Sequence, residues 1–164
     1  MAKGITNGVM PLGAVASRES IYDTLLDASP TGAIEFFHGY TYSAIPPCIA
    51  AGLAMQEIIK KENLFERSKN MSPYFLDGLF SLKDIDIITD IRGYGMLGGI
   101  DIKFDERLGK AGFSCFKKLF DVGLSLKATG DCLIVAPPFI CEKHHIDEII
   151  EKLREGITNY MKSV

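Results

Sequence analysis

Residues 85–104 read IDIITDIRGYGMLGGIDIKF, and the architecture of the chain turns on how they are parsed. Ile85 to Ile91 and Met96 to Phe104 predict two β-strands joined by the glycine-rich RGYG turn, because apolar and polar residues alternate on either side of it. The letters Gly93-Tyr94-Gly95-Met96-Leu97-Gly98 also match GxGxxG. A dinucleotide site needs a helix N-terminus after the glycines to hold a pyrophosphate, and the continuation GGIDIKFD is strand-like, so a plain hairpin turn is expected.

Working outward from that hairpin, a short helix is predicted around Phe113, Phe116 and Phe120. Leu124 to Leu126 and Cys132 to Ala136 read as a second hairpin around Thr129, Gly130 and Asp131, stopped by Pro137 and Pro138. Ile146, Ile149, Ile150, Leu153, Ile157, Tyr160 and Met161 fall on one face of a final amphipathic helix. The order ββαββα implies a small antiparallel sheet with helices packed on one side, able to fold on its own from about residue 84.

The first half has another texture. Leu12 to Ser17 is expected to be a short buried strand, and Ser17 a cap for a helix through Ile21, Tyr22, Leu25 and Leu26. The aromatic loop FFHGYTYSAIPP, residues 36–47, precedes a helix with Pro46 and Pro47 in its first turn. That helix, Cys48 to Ile59, is apolar nearly all round and is expected to be buried on both faces. Leu64, Met71, Phe75 and Leu79 continue a helical stripe that Pro73 is expected to break or kink.

The 164 residues are 47% hydrophobic and 24% charged with formal net charge -3, the balance of an ordinary globular chain. Mild acidity argues against nucleic acid as a partner. No run is long and apolar enough for a membrane span, so a membrane partner is not expected. Cys48, Cys115, Cys132 and Cys141 form no CxxC pair, which points to free thiols and a cytoplasmic setting. Cys141, His144 and His145 are too few for a metal site, and neighbouring histidines point to different faces of a helix. Glu142 and Asp147 read as acids of a helix first turn. Lys3, ahead of a small-residue turn, and Thr41, ahead of a helix, are the two residues placed to hold a cofactor ring and a phosphate.

The blocks AKGITNGVMPLGAV (2–15), HGYTYS (38–43), DIRGYGMLGGIDI (90–102) and VAPPF (135–139), with the small-residue helix between them, together resemble class-III pyridoxal-phosphate-dependent aminotransferases. The likeness is to the branch that moves amino groups from ω-amino acids or amines to pyruvate. It implies an α/β chain: the C-terminal part of a fold-type-I transferase, with an incomplete large domain (1–63) and a small α+β domain (64–164) of antiparallel sheet covered by helices. It also implies that Lys3 is the catalytic lysine, joined to pyridoxal 5'-phosphate as a Schiff base in the complete enzyme. An amine is required there because it can be displaced by a substrate amine and then carry a proton.

By the same resemblance Thr41, with Tyr42 beside it, binds the cofactor phosphate of a neighbouring subunit, which implies a homodimer. Lys127, in GLSLKATG, stands where many relatives carry an arginine for the substrate carboxylate, and loses that arginine's two-pronged geometry. Ala44-Ile45 replaces the usual Gly-His or Gly-Asn. The family's aspartate for the pyridine nitrogen, its ring-stacking aromatic and its phosphate-cupping turn are not in this sequence. Transamination between an amine and a keto acid is therefore expected only with a complementing N-terminal half. The alternative expectation is a non-catalytic remnant or interaction module.

Overall fold

The computed structural model describes residues 1–30, 41–103 and 108–163. The chain divides into two compact units, Met1–Asn63 and Leu64–Val164.

In the second unit, α3 (Leu64–Phe80) leads through a 3-10 turn (Ser81–Asp84) into β1 (Ile88–Tyr94) and β2 (Leu97–Ile102). After α4 (Lys110–Asp121) come β3 (Lys127–Thr129), β4 (Cys132–Val135) and α5 (Lys143–Met161). The four strands form one antiparallel sheet in the order β1-β2-β4-β3. The GxGxxG letters form the β1–β2 hairpin, with Tyr94 opposite Leu97 and Gly95 at φ +60°. A glycine suits that left-handed turn position because it carries no Cβ to clash.

Period-two alternation decides what each face of the sheet holds. Ile91, Ile100 and Leu133 stand side by side across three strands and are buried, with Ala128 next in the row. They pack against Phe75 and Leu79 of α3, Leu119 of α4, and Leu153 and Ile157 of α5 in one continuous core. Each large aliphatic side chain fully removed from water contributes about 1.5–3 kcal/mol. Close helix packing needs glycine at 156, where a Cβ would lie 2.5 Å from Leu119 Cδ2 and 3.0 Å from Leu119 Cα.

Several local expectations are corrected. α3 is not broken at Pro73 but runs through it, anchored just beyond by the fully buried Phe75 and Leu79. Those two residues and Leu82 belong to the same core, which therefore reaches ahead of residue 84 into the compact unit that begins at Leu64. The third strand is Lys127–Thr129, not Leu124–Leu126. Glu142 is the N-cap of α5, and its carboxylate accepts from the backbone of His145 while His145 Nδ1 accepts from the Glu142 amide at 3.1 Å. Phe104, the expected end of β2, lies outside the described residues.

The first unit holds a 3-10 turn (Lys3–Ile5), α1 (Glu19–Asp27) and α2 (Pro46–Lys61). Leu12 to Ser17 is not a strand; Val15 is 94% exposed, and no strand lies beside the segment among the described residues. Ser17 does not cap α1, whose N-cap is Arg18. α2 begins at Pro46 and Pro47 as expected but buries only Cys48 and Gly52, leaving Ile49, Leu53 and Ile58 exposed.

Candidate functional site

Lys3 opens its 3-10 turn with φ +56°, in the left-handed region that a long L side chain occupies only at an energetic cost. The turn is fastened on both sides. The Met1 amino group donates to the Ala14 carbonyl at 2.6 Å, the Ala14 amide donates back to Met1 at 2.9 Å, and buried Thr6 donates its hydroxyl to the Met10 carbonyl at 2.5 Å. Gly52 lets α2 approach: a Cβ there would meet Leu12 Cδ2 at 3.0 Å. The Lys3 side chain is exposed and makes no hydrogen bond or ion pair among the described residues.

Thr41 and Tyr42 stand in a turn just ahead of α2, both exposed, and Ala44 in the same turn has φ +57°. His38, Gly39 and Tyr40 of the HGYTYS block lie outside the described residues. Prolines at the first two positions of α2 remove two of the amide donors a helix end offers. No hydrogen bond joins Lys3 to Thr41.

Lys127 belongs to the other unit, at the first position of the edge strand β3 and exposed. Its register partner is Ile134, followed across the sheet by Gly99 and Arg92. This row lies on the face opposite the core, by alternation with the buried row of Ile91, Ile100 and Leu133. On that face Arg92 donates to Asp90 at 2.7 Å, to both oxygens of Asp101 at 2.6 and 3.0 Å, and to Cys132 Sγ at 3.4 Å. Hydrogen bonds from Arg92 hold the Asp101 carboxyl below the usual range, against partial burial. Burial, then Asp101, push the Cys132 thiol up.

The class-III aminotransferase family model matches residues 1–157. The chain belongs to the class-III aminotransferases. It is 41% identical over 155 residues to an omega-aminotransferase of Caulobacter vibrioides, covering 94% of this chain and 35% of the relative. It is 37% identical over 159 residues to a beta-alanine–pyruvate aminotransferase of Pseudomonas aeruginosa, covering 96% of this chain and 36% of the relative. Among solved structures, the adenosylmethionine-8-amino-7-oxononanoate aminotransferase of Methanocaldococcus jannaschii superimposes with a TM-score of 0.86 at 30% identity, over 96% of this chain and 37% of that one. The chain thus has the fold of part of a fold-type-I transaminase and spans about 35% of the length of the curated relatives it matches.

As a class-III aminotransferase chain it implies pyridoxal phosphate, and the donor set fits that group. Lys3 supplies an exposed primary amine with no partner among the described residues, and Thr41 an exposed hydroxyl in a turn before a helix. No cluster of three or more His, Cys, Asp or Glu among the described residues is arranged to hold a metal ion, and no described helix is long and apolar enough to cross a membrane. Sequence reasoning missed the Arg92–Asp101–Cys132 cluster. Its signal was present: Asp90, Arg92 and Asp101 are charges at alternate positions of otherwise apolar strands, the pattern of an open sheet face.

Proposed function

We propose that this chain contributes to transamination from an amine or ω-amino acid to a keto acid such as pyruvate, with Lys3 as the catalytic lysine. The observation that carries the reading is Lys3 itself, a lysine held at φ +56° in a doubly fastened turn with its side chain exposed. Nothing in packing favours a long side chain at such a backbone position, and strain of this kind collects at functional sites. The names of the Caulobacter and Pseudomonas aeruginosa relatives support the amine and keto-acid classes.

In this reading residues 1–63 belong to the cofactor-binding domain and 64–164 are the small domain. Pyridoxal phosphate, when bound, supplies an electron sink for the substrate carbon that loses its proton. Lys3 Nζ would hold it and would carry that proton. Thr41, with Tyr42, holds phosphate across a homodimer. Lys127 holds the substrate carboxylate as a point charge. Four free cysteines, with Cys115 fully buried and its thiol pushed up to about 12 by that burial, support a reducing cytoplasmic setting.

A second reading, a non-catalytic remnant or interaction module, draws on the exposure of Lys3 and of the apolar residues of α1 and α2. The two are separated by a chimera in which this chain replaces the 155-residue stretch it matches in the Caulobacter relative. Borohydride-fixed pyridoxyl on the Lys3 peptide, with alanine formed from pyruvate, supports the catalytic reading. Labelling elsewhere, or turnover that survives Lys3→Ala, overturns it.

A further inference from the structure

We infer that Asp131, seated on Gly112, is a positioning residue that sets where Lys127 stands. The inference rests on the reading of Lys127 as the carboxylate-binding residue and adds what holds it in place. β3 has three residues, lies at the edge of the sheet, and pairs on one side only, with Lys127 opposite Ile134, Ala128 opposite Leu133 and Thr129 opposite Cys132. So short an edge frays readily unless something else fixes it.

The Asp131 carboxylate supplies that second attachment. In the turn between β3 and β4, its Oδ2 accepts from the Gly109 amide at 2.8 Å and its Oδ1 from the Gly112 amide at 3.0 Å. Gly109 is the N-cap of α4 at φ +83° and has no side chain with which to cap the helix. The carboxylate from the hairpin therefore satisfies amides that would otherwise be left open, with its charge against the favourable end of the helix dipole.

The backbones interlock at the same point. A Cβ on Gly112 would lie 2.2 Å from the Gly130 carbonyl oxygen and 2.9 Å from Asp131 Cα, so the start of α4 rests directly on the hairpin turn. From the other side, the Ile102 amide donates to the Asp131 carbonyl at 2.9 Å, tying the turn to the end of β2. The turn is gripped by a helix and a central strand. Lys127, at the other end of the strand that enters it, takes its register from that grip.

The test is amide exchange on the full chain carrying Asp131→Ala, with Asp131→Asn as the milder variant that keeps one acceptor oxygen. The expected result is exchange at Lys127–Thr129 faster by about tenfold, as for loss of a charge-assisted hydrogen bond, with amides at Leu153–Tyr160 in α5 unchanged and Asp131→Asn intermediate. Unchanged β3 exchange, or equal acceleration in β3 and α5 in both variants, overturns the inference. In the Caulobacter chimera, Asp131→Asn should raise KM several-fold for an ω-amino acid and leave an amine without a carboxylate unaffected; equal change for both donors also overturns it. Lys127→Met separates the two claims. If it leaves KM for the ω-amino acid unchanged, the reading of Lys127 fails while the exchange result still reports on the clamp.

Discussion

Arg92 on β1 grips Asp101 on β2 with two parallel hydrogen bonds, Nη1 to Oδ2 at 2.6 Å and Nη2 to Oδ1 at 3.0 Å. The Asp101 carboxyl titrates below its ordinary value of 3.8, chiefly because of Arg92. A carboxyl lowered by folding stabilises fully above its unfolded value, and that contribution is lost as pH falls through the lower folded value. Asp101→Asn should therefore flatten the acid limb of a stability profile taken between about pH 2 and pH 7. At neutral pH the loss should be at most about 1 kcal/mol, since the pair is part-exposed and screened. Urea midpoints across that range decide it; an unchanged acid limb counts against the pairing.

Gly156→Ala forces a methyl group against Leu119, whose Cα would lie 3.0 Å from it. Backbone cannot move aside as a side-chain tip can, so α4 and α5 must separate. Destabilisation of about 1–3 kcal/mol is expected from overpacking, read from urea denaturation. Leu119→Ala in the same chain should recover only part of it, because the new methyl group still presses on the backbone of α4.

Residues 64–164 should fold alone, with protected amides in α5, while residues 84–164 should not. The shorter piece lacks Phe75, Leu79 and Leu82, all fully buried in the shared core. Losing their burial costs about 1.5–3 kcal/mol for each side chain, comparable in sum to the whole stability of a small domain. Amide exchange on both pieces measures this, and protection of α5 in the shorter one would contradict it.

Lys127→Arg in the Caulobacter chimera should lower KM for an ω-amino acid several-fold, because a guanidinium binds a carboxylate through two parallel hydrogen bonds. KM for a donor without a carboxylate should stay put. Unchanged or weaker use of the acid would assign this position another role.

Incubated alone with pyridoxal phosphate and reduced with borohydride, this chain should label Lys3 no more than its other exposed lysines. The Lys3 amine has no partner among the described residues, and Thr41 and Tyr42 are the hydroxyls proposed to meet the phosphate. Hydrogen bonds from two exposed hydroxyls contribute a net of about 0.5–1.5 kcal/mol each, too little to single Lys3 out. Stoichiometric labelling confined to Lys3, with amine turnover, would overturn this.

Much of the second unit is legible in one dimension because its determinants are local. Ile91 and Ile100 alternate with Arg92 and Asp101, and Ile146, Leu153, Ile157 and Tyr160 recur at helical spacing, so strand pairing and the inward face of α5 follow from period alone. Period does not reveal that Phe75 and Leu79 share a core with residues a sheet away, nor that helix α3 survives Pro73, because both depend on packing that offsets a local cost. In the first unit the apolar run of α2 predicts burial, whereas Ile49, Leu53 and Ile58 are exposed in this chain; hydrophobicity states a preference for burial and not what is there to bury against.

The candidate site divides along the same line. Lys3, Thr41 and Lys127 are named by residue type and motif, and these are properties of the sequence. The left-handed backbone of Lys3, the Arg92–Asp101 pair and the Asp131 clamp on Gly109 and Gly112 appear only in three dimensions. Asp131 lies 19 and 22 residues from its partners, and no sequence period records such a distance. Only the fold, by laying the hairpin turn against the start of α4, turns an ordinary turn aspartate into the cap of a helix.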